Sequence, residues 1–233
     1  MNHRQLSFDL PVRPALGRGD FFVSPANAMA VVLLERWQDW AGHKLALIGP
    51  KGAGKTHLSH VWAATSGALI LKATDLGDVP IPAVAMGPVV VEDVQDIAGN
   101  RELEEALFHL HNLVLAEGFP LLVTADKPAH LWGLTLPDLQ SRMQGTQSVT
   151  LDQPDDQLLA AVITKLFADR QLMPAPDVIT YLVARMDRSF DAARDLVAAL
   201  DRAALERKRP VTRKLAAEVL GQSELPDLLD NSA

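Results

Sequence analysis

One octapeptide, Gly49-Pro50-Lys51-Gly52-Ala53-Gly54-Lys55-Thr56, constrains this chain more than any other stretch. It matches the phosphate-binding-loop pattern at every fixed position, and that pattern has meaning only with a strand before it and a helix after it. The sequence supplies both. Lys44 to Ile48 is a short apolar run that reads as a buried strand, and Lys55 to Ala64 is compatible with a helix. Glycines let successive backbone amides turn towards phosphate oxygens, while the helix directs its positive end at the same point. Lys55 would neutralise β/γ-phosphate charge and the Thr56 hydroxyl would ligate Mg²⁺. Gly49, Pro50, Gly52, Ala53, Gly54, Lys55 and Thr56 are therefore the expected contacts to the phosphates of a bound nucleotide. The plainer alternative is a Gly-rich turn that happens to carry a lysine.

The rest of the chain divides by pattern. Ala68 to Leu71, Gly87 to Val91, Leu121 to Thr124 and Ser148 to Leu151 read as further short strands. Between two of them, Leu103, Leu107, Leu110 and Val114 stripe a helix over Arg101 to Glu117. Strands alternating with helices imply an α/β fold, with a mostly parallel sheet covered on both faces. An earlier helix is expected to start at Ser24 as N-cap with Pro25 in its first turn. It would carry Met29, Val32, Leu33 and Trp37 on one face and end near Gly42. After Pro154 no strand-like run occurs, and apolar residues recur at helix spacing. Ser189 can cap a third helix of this region and Thr212 a fourth that stops at Gly221. The expected organisation is an extended arm over 1–19, an α/β nucleotide-binding domain over 20–153, a small all-α lid domain over 154–222 and an acidic tail over 223–233.

Composition narrows the function classes. With 22 basic against 29 acidic residues the net charge is -7, which argues against a general attraction to phosphate backbones. The absence of cysteine excludes disulfides and thiolate metal sites. No stretch approaches the ~20 apolar residues that cross a bilayer, and no leader pattern opens the chain, so the sequence reads as cytoplasmic.

A phosphate-binding loop needs an acidic partner at the end of a neighbouring strand, to hold the metal and orient the attacking water. Val89-Val90-Val91-Glu92-Asp93 offers one. Glu92 would join Thr56 in the Mg²⁺ shell and Asp93 would orient the water. Glu-Asp inverts the usual order of side-chain lengths, which implies slow or partner-dependent hydrolysis. Solvent-facing loop acids are the alternative.

In chain order there follow Leu122-Val123-Thr124-Ala125-Asp126-Lys127-Pro128, then Leu139-Gln140-Ser141-Arg142, then Arg194-Asp195-Leu196. Over about residues 20 to 222 this succession resembles the DnaA-family AAA+ proteins. The resemblance implies that Thr124 and Asp126 report the γ-phosphate. It implies also that Arg142 is an arginine finger offered to a neighbour's nucleotide, and that Arg194 reaches the chain's own phosphates from the lid. Guanidinium forks suit buried phosphate charge. Taken singly, Arg142 and Arg194 would read as solvated helix-surface charges; their order is what favours the other reading.

DnaA-type initiators continue into a helix-turn-helix domain, whereas this sequence runs 12 residues past Gly221, so sequence-specific duplex binding is not expected. The arm carries Gln5-Leu6-Ser7-Phe8-Asp9-Leu10, which resembles the short peptides that dock on the bacterial DNA-polymerase sliding clamp. Gln5 would meet a polar rim while Leu6, Phe8 and Leu10 fill an apolar groove. Joined to a DnaA-like module, such a peptide is similar to the Hda-type regulators. That resemblance implies an adaptor that rides on the clamp, promotes ATP hydrolysis by DnaA and so restrains replication initiation. A finger that acts across subunits also allows homo-oligomers.

Other features are weaker. His57 with His60, and His109 with His111, lack the carboxylate or cysteine company of a transition-metal site. Arg202, Arg207, Lys208, Arg209, Arg213 and Lys214 form a late basic cluster, read either as a solvated face or as a weak, non-specific DNA contact. The competing functional readings are a helicase-loader-like or remodelling ATPase acting on DNA, and a small P-loop kinase.

Overall fold

The computed structural model describes residues 22–221. Gln5, Leu6, Phe8 and Leu10, and the tail over 223–233, lie outside the described residues. Five strands form one sheet: β1 (Lys44–Ile48), β2 (Leu69–Lys72), β3 (Val89–Glu92), β4 (Leu121–Ala125) and β5 (Gln147–Thr150). Their order is β2-β3-β4-β1-β5, and every neighbouring pair is parallel. Central parallel strands are covered on both faces, which is why β3 and β4 are buried at every position and lack the alternation of a half-exposed strand.

Alternate residues of these strands feed two different cores. Ala46, Val89, Val91, Leu121 and Val123 face a layer that includes Leu107 and Leu110 of α4 (Arg101–Ala116) and Leu139 and Met143 of α5 (Pro137–Gln144). Leu45, Leu47, Val90 and Leu122 face Leu34 of α1 (Ala28–Glu35) and Leu58 and Trp62 of α2 (Lys55–Ser66). A short helix, α3 (Ile81–Val84), packs against α4. Beyond the sheet, α6 (Asp156–Asp169), α7 (Pro176–Val183), α8 (Phe190–Arg207) and α9 (Arg213–Val219) enclose a third core around Ile163, Phe167, Leu182, Val197 and Leu200. Ser189 Oγ accepts from Ala192 N at 3.0 Å, and Thr212 Oγ1 from Leu215 N at 3.3 Å, so both residues cap the helices they precede.

The first helix departs from the sequence reading. Its N-cap is Asn27, and Ser24 instead heads the preceding turn, its carbonyl accepting from Asn27 N and Ala28 N. Met29 and Val32 are exposed, while Ala30 and Leu34 are buried. The helix stops at Glu35, because Trp40 takes an extended conformation and stacks on Trp62 with ring centroids 5.1 Å apart. Burying an indole outweighs two more turns of helix. No helix among the described residues is long and apolar enough to cross a membrane.

Candidate functional site

In a parallel sheet with crossover helices, loops at the carboxyl ends of the strands converge on one crevice. Here three such loops meet. The first, Gly49 to Gly54, leaves β1 with Gly49 N bonded to Ala125 O at 3.1 Å and enters α2. Gly52 and Gly54 have φ of 74° and 97°, values that glycine alone adopts without strain. Lys55 is buried, and its Nζ donates to Gly49 O at 2.7 Å and Pro50 O at 3.2 Å, folding the loop around its own ammonium. Thr56, the second residue of α2, is exposed at the mouth of the loop. Ala53 is buried beneath it.

The second loop leaves β3. Glu92 is buried at the strand end, and its Oε1 has no hydrogen-bond partner. Asp93 turns the chain with φ 56°, a left-handed conformation tolerated by aspartate, and its N–H donates to Thr124 Oγ1 at 3.0 Å. The third loop leaves β4. Thr124 is buried, and the next polar side chain, Asp126, presents a buried Oδ1 that is also unpartnered. Gln95 ties the two loops, its Oε1 accepting from Asp126 N at 3.3 Å.

These acids surround the loop lysine. Burial pulls the Lys55 ammonium below the ordinary lysine range, while the charges of Asp93, Asp126 and Glu92 raise it and that of Lys51 lowers it further. Two buried carboxylate oxygens without partners carry a desolvation penalty that a hard cation and its water shell would relieve. The donor set of Thr56, Glu92 and Asp126, all oxygens, suits Mg²⁺.

The helical layer closes over the same crevice. Phe190 N donates to Gly52 O at 2.9 Å, and a Cβ built at Gly52 would stand 2.2 Å from Ser189 Cβ. One built at Gly54 would stand 2.7 Å from the Phe190 ring. Arg194 lies one turn along α8 from Phe190, on the same helix face, exposed and paired with Asp191 at 3.2 Å. The motif pattern contains no hint of Gln95, Ser189 or Phe190; the glycines at 52 and 54 were the available signal, since a loop glycine marks close approach by something.

Arg142 stands elsewhere. It is exposed in the last turn of α5, and its carbonyl accepts from Lys44 Nζ at 3.0 Å. Lys44 begins β1 and Gly49 follows its end, so the length of β1, about 16 Å, lies between the lysine that holds Arg142 and the loop Gly49 to Gly54.

No family model matches the sequence. Solved structures do. Domain III of the replication initiation protein DnaA from Thermotoga maritima superposes with a TM-score of 0.77 at 17% identity, over 91% of this chain and 98% of that one. The fold is that of an AAA+ module. AMPPCP-bound DnaA from Aquifex aeolicus gives a TM-score of 0.70 at 17% identity, covering 84% of this chain and 69% of its own. A variant of Thermotoga maritima RuvB gives 0.66 at 19%, over 87% and 70%. The five-stranded parallel sheet with flanking helices is thus shared with the DnaA AAA+ domain.

Proposed function

We propose that this chain is a nucleotide-bound cytoplasmic regulator of the Hda type. It holds ADP or ATP through Gly49 to Thr56, Thr124, Asp126 and Arg194, with Mg²⁺ between Thr56 and Glu92. It docks on the sliding clamp through Gln5, Leu6, Phe8 and Leu10, and it offers Arg142 to the nucleotide of DnaA, whose ATP hydrolysis it promotes. The outcome is negative regulation of replication initiation. One observation carries the reading: Lys55 and its three carboxylates gather at the carboxyl ends of the strands, while Arg142 is exposed at the opposite end. A guanidinium so placed acts on a neighbour's phosphates and not on its own.

The nucleotide assignment draws support from similar structures, two of which are DnaA bound to AMPPCP, one of them also with single-stranded DNA. Mg²⁺, when bound, neutralises β/γ-phosphate oxygens. The residues of the chain do the rest: Lys55 meets the phosphates, Glu92 orients the metal shell, Asp93 positions water, and Phe190 with Ser189 excludes solvent from the loop. A second reading, a loader-like or remodelling ATPase on DNA, rests on the exposed Arg202, Arg207, Lys208, Arg209, Arg213 and Lys214. Arg207 is already paired with Glu218, and Arg213 lies over the Tyr181 ring, so the cluster suits weak non-specific contact better than a DNA track.

The test is Arg142→Ala in a reconstituted assay with DnaA, clamp and DNA. The variant should bind ADP and the clamp as the wild type does. It should lose stimulation of DnaA hydrolysis by ~10³-fold or more, the usual contribution of a finger supplied across subunits. Stimulation at the wild-type level would remove the finger from the proposal.

A further inference from the structure

A buried carboxylate outside the nucleotide crevice has no role in the chemistry above. Glu104, in the first turn of α4, is fully buried. Its Oε1 accepts from Gly99 N at 2.8 Å and Thr135 N at 3.0 Å, and its Oε2 from Thr135 N at 2.9 Å, Thr135 Oγ1 at 3.1 Å and Leu136 N at 2.6 Å. Leu136 is the N-cap of α5, and Pro137 supplies no amide of its own. The donors Gly99 and Leu136 belong to different loops: one leads on from Asp93 through the single-turn helix Val94–Ile97, the other opens the helix that bears Arg142.

The far end of α5 is held as well. Lys44 Nζ donates to Arg142 O at 3.0 Å and lies 3.4 Å from His111 Nε2, while His111 Nδ1 lies 3.1 Å from Asn112 Oδ1. His111 is buried, so the chain of contacts requires a neutral ring that accepts from Lys44 and donates to Asn112. A cation on the last carbonyls of a helix also suits the helix dipole.

We propose that Glu104 and Lys44 are positioning residues for Arg142: they pin α5 (Pro137–Gln144) at its first and last turns, and so set the direction in which the guanidinium projects. This rests on the finger reading of Arg142 given above. α5 has only eight residues; Leu139 and Met143 seat its inner face in the core, and Glu104 and Lys44 add a polar tie at each end, while its polar outer face offers no further packing. Neither side chain bonds to the loop Gly49 to Gly54 or to Glu92, Thr124 or Asp126, so neither is assigned to the nucleotide crevice.

The experiment is a double-mutant cycle in the DnaA hydrolysis assay with clamp and DNA. Glu104→Gln should lower the maximal stimulated rate by roughly 10- to 100-fold, the penalty for misplacing a catalytic group by about 1 Å, while the half-saturating concentration and ADP affinity stay within about twofold. Glu104→Gln with Arg142→Ala should be no slower than Arg142→Ala alone, because a residue that acts only by aiming another adds nothing once that other is gone. Losses that multiply, or a Glu104→Gln rate equal to wild type beside a dead Arg142→Ala, would overturn the positioning role while leaving the finger intact. A wild-type rate for Arg142→Ala would remove the finger and the positioning role with it. If Glu104→Gln does not fold, Lys44→Met passes through the same cycle: a loss absorbed by Arg142→Ala supports the positioning role, and a multiplying loss overturns it.

Discussion

Gly52→Ala tests whether the helical layer is seated on the loop Gly49 to Gly54. At φ 74° an alanine pays a left-handed backbone penalty of about 1–2 kcal/mol. Its Cβ would also stand 2.2 Å from Ser189 Cβ, roughly 1.5 Å inside van der Waals contact, so α8 must withdraw at a further cost of about 1–3 kcal/mol. The sum is about 2–5 kcal/mol. Gly118→Ala is the control, since Gly118 has φ 76° but open space where its Cβ would go, and should lose only the backbone penalty. Chemical denaturation of both variants isolates the contact as their difference. Ser189→Gly removes the clashing atom and, as a glycine N-cap, costs only a few tenths of a kcal/mol by itself. Combined with Gly52→Ala it should recover most of the 1–3 kcal/mol. Equal losses for the Gly52 and Gly118 variants, or no recovery in the double variant, would refute the contact between α8 and the loop.

Lys55→Ala should abolish ADP binding in calorimetry while the chain remains folded; unchanged affinity would reject the loop as the nucleotide site. Replacing Gln5, Leu6 and Phe8 with alanine should eliminate clamp binding in surface plasmon resonance and change stability by less than about 0.5 kcal/mol, as for a surface change; retained binding would reject the peptide. Glu104 gives a pH signature. Its burial raises the carboxyl, but the amides of Thr135, Gly99 and Leu136 and the Thr135 hydroxyl together bring it below the usual 4.5. Its stabilisation is thus complete above pH 4.5 and lost as pH falls through the lower folded value. Glu104→Gln should therefore be less stable at neutral pH, by about 1–3 kcal/mol for donors left unmatched, yet show a shallower loss in acid denaturation; an unchanged acid slope would count against the network.

Much of the architecture was legible because it is local. β1 occupies the very residues of the apolar pentapeptide, and Ser189 and Thr212 cap the helices that their short oxygen-bearing side chains mark out. The octapeptide, the acids after the triple valine and the Thr-Ala-Asp segment lie at strand ends, where chain connectivity brings them into one crevice whatever the surrounding detail. The face that α1 buries was not legible, since Met29 and Val32 fit a helix stripe as well as Ala30 and Leu34 do; only Trp62 and its stacking partner Trp40 decide which is covered. Glu104 reads as one more surface acid in an acidic chain, and nothing within its own helix supplies the amides of Thr135 and Leu136. Arg142 likewise has a side-chain type and a place in chain order, but which end of the sheet it occupies depends on where α5 docks against β1 and α4. Periodicity and motif spacing are properties of neighbours along the chain, so most of the elements, and the glycine-rich loop between β1 and α2, could be read from sequence alone. The burial of Glu104, the seating of Phe190 on Gly52 and the remoteness of Arg142 from Lys55 arise from contacts between residues more than thirty positions apart, which only tertiary packing brings together.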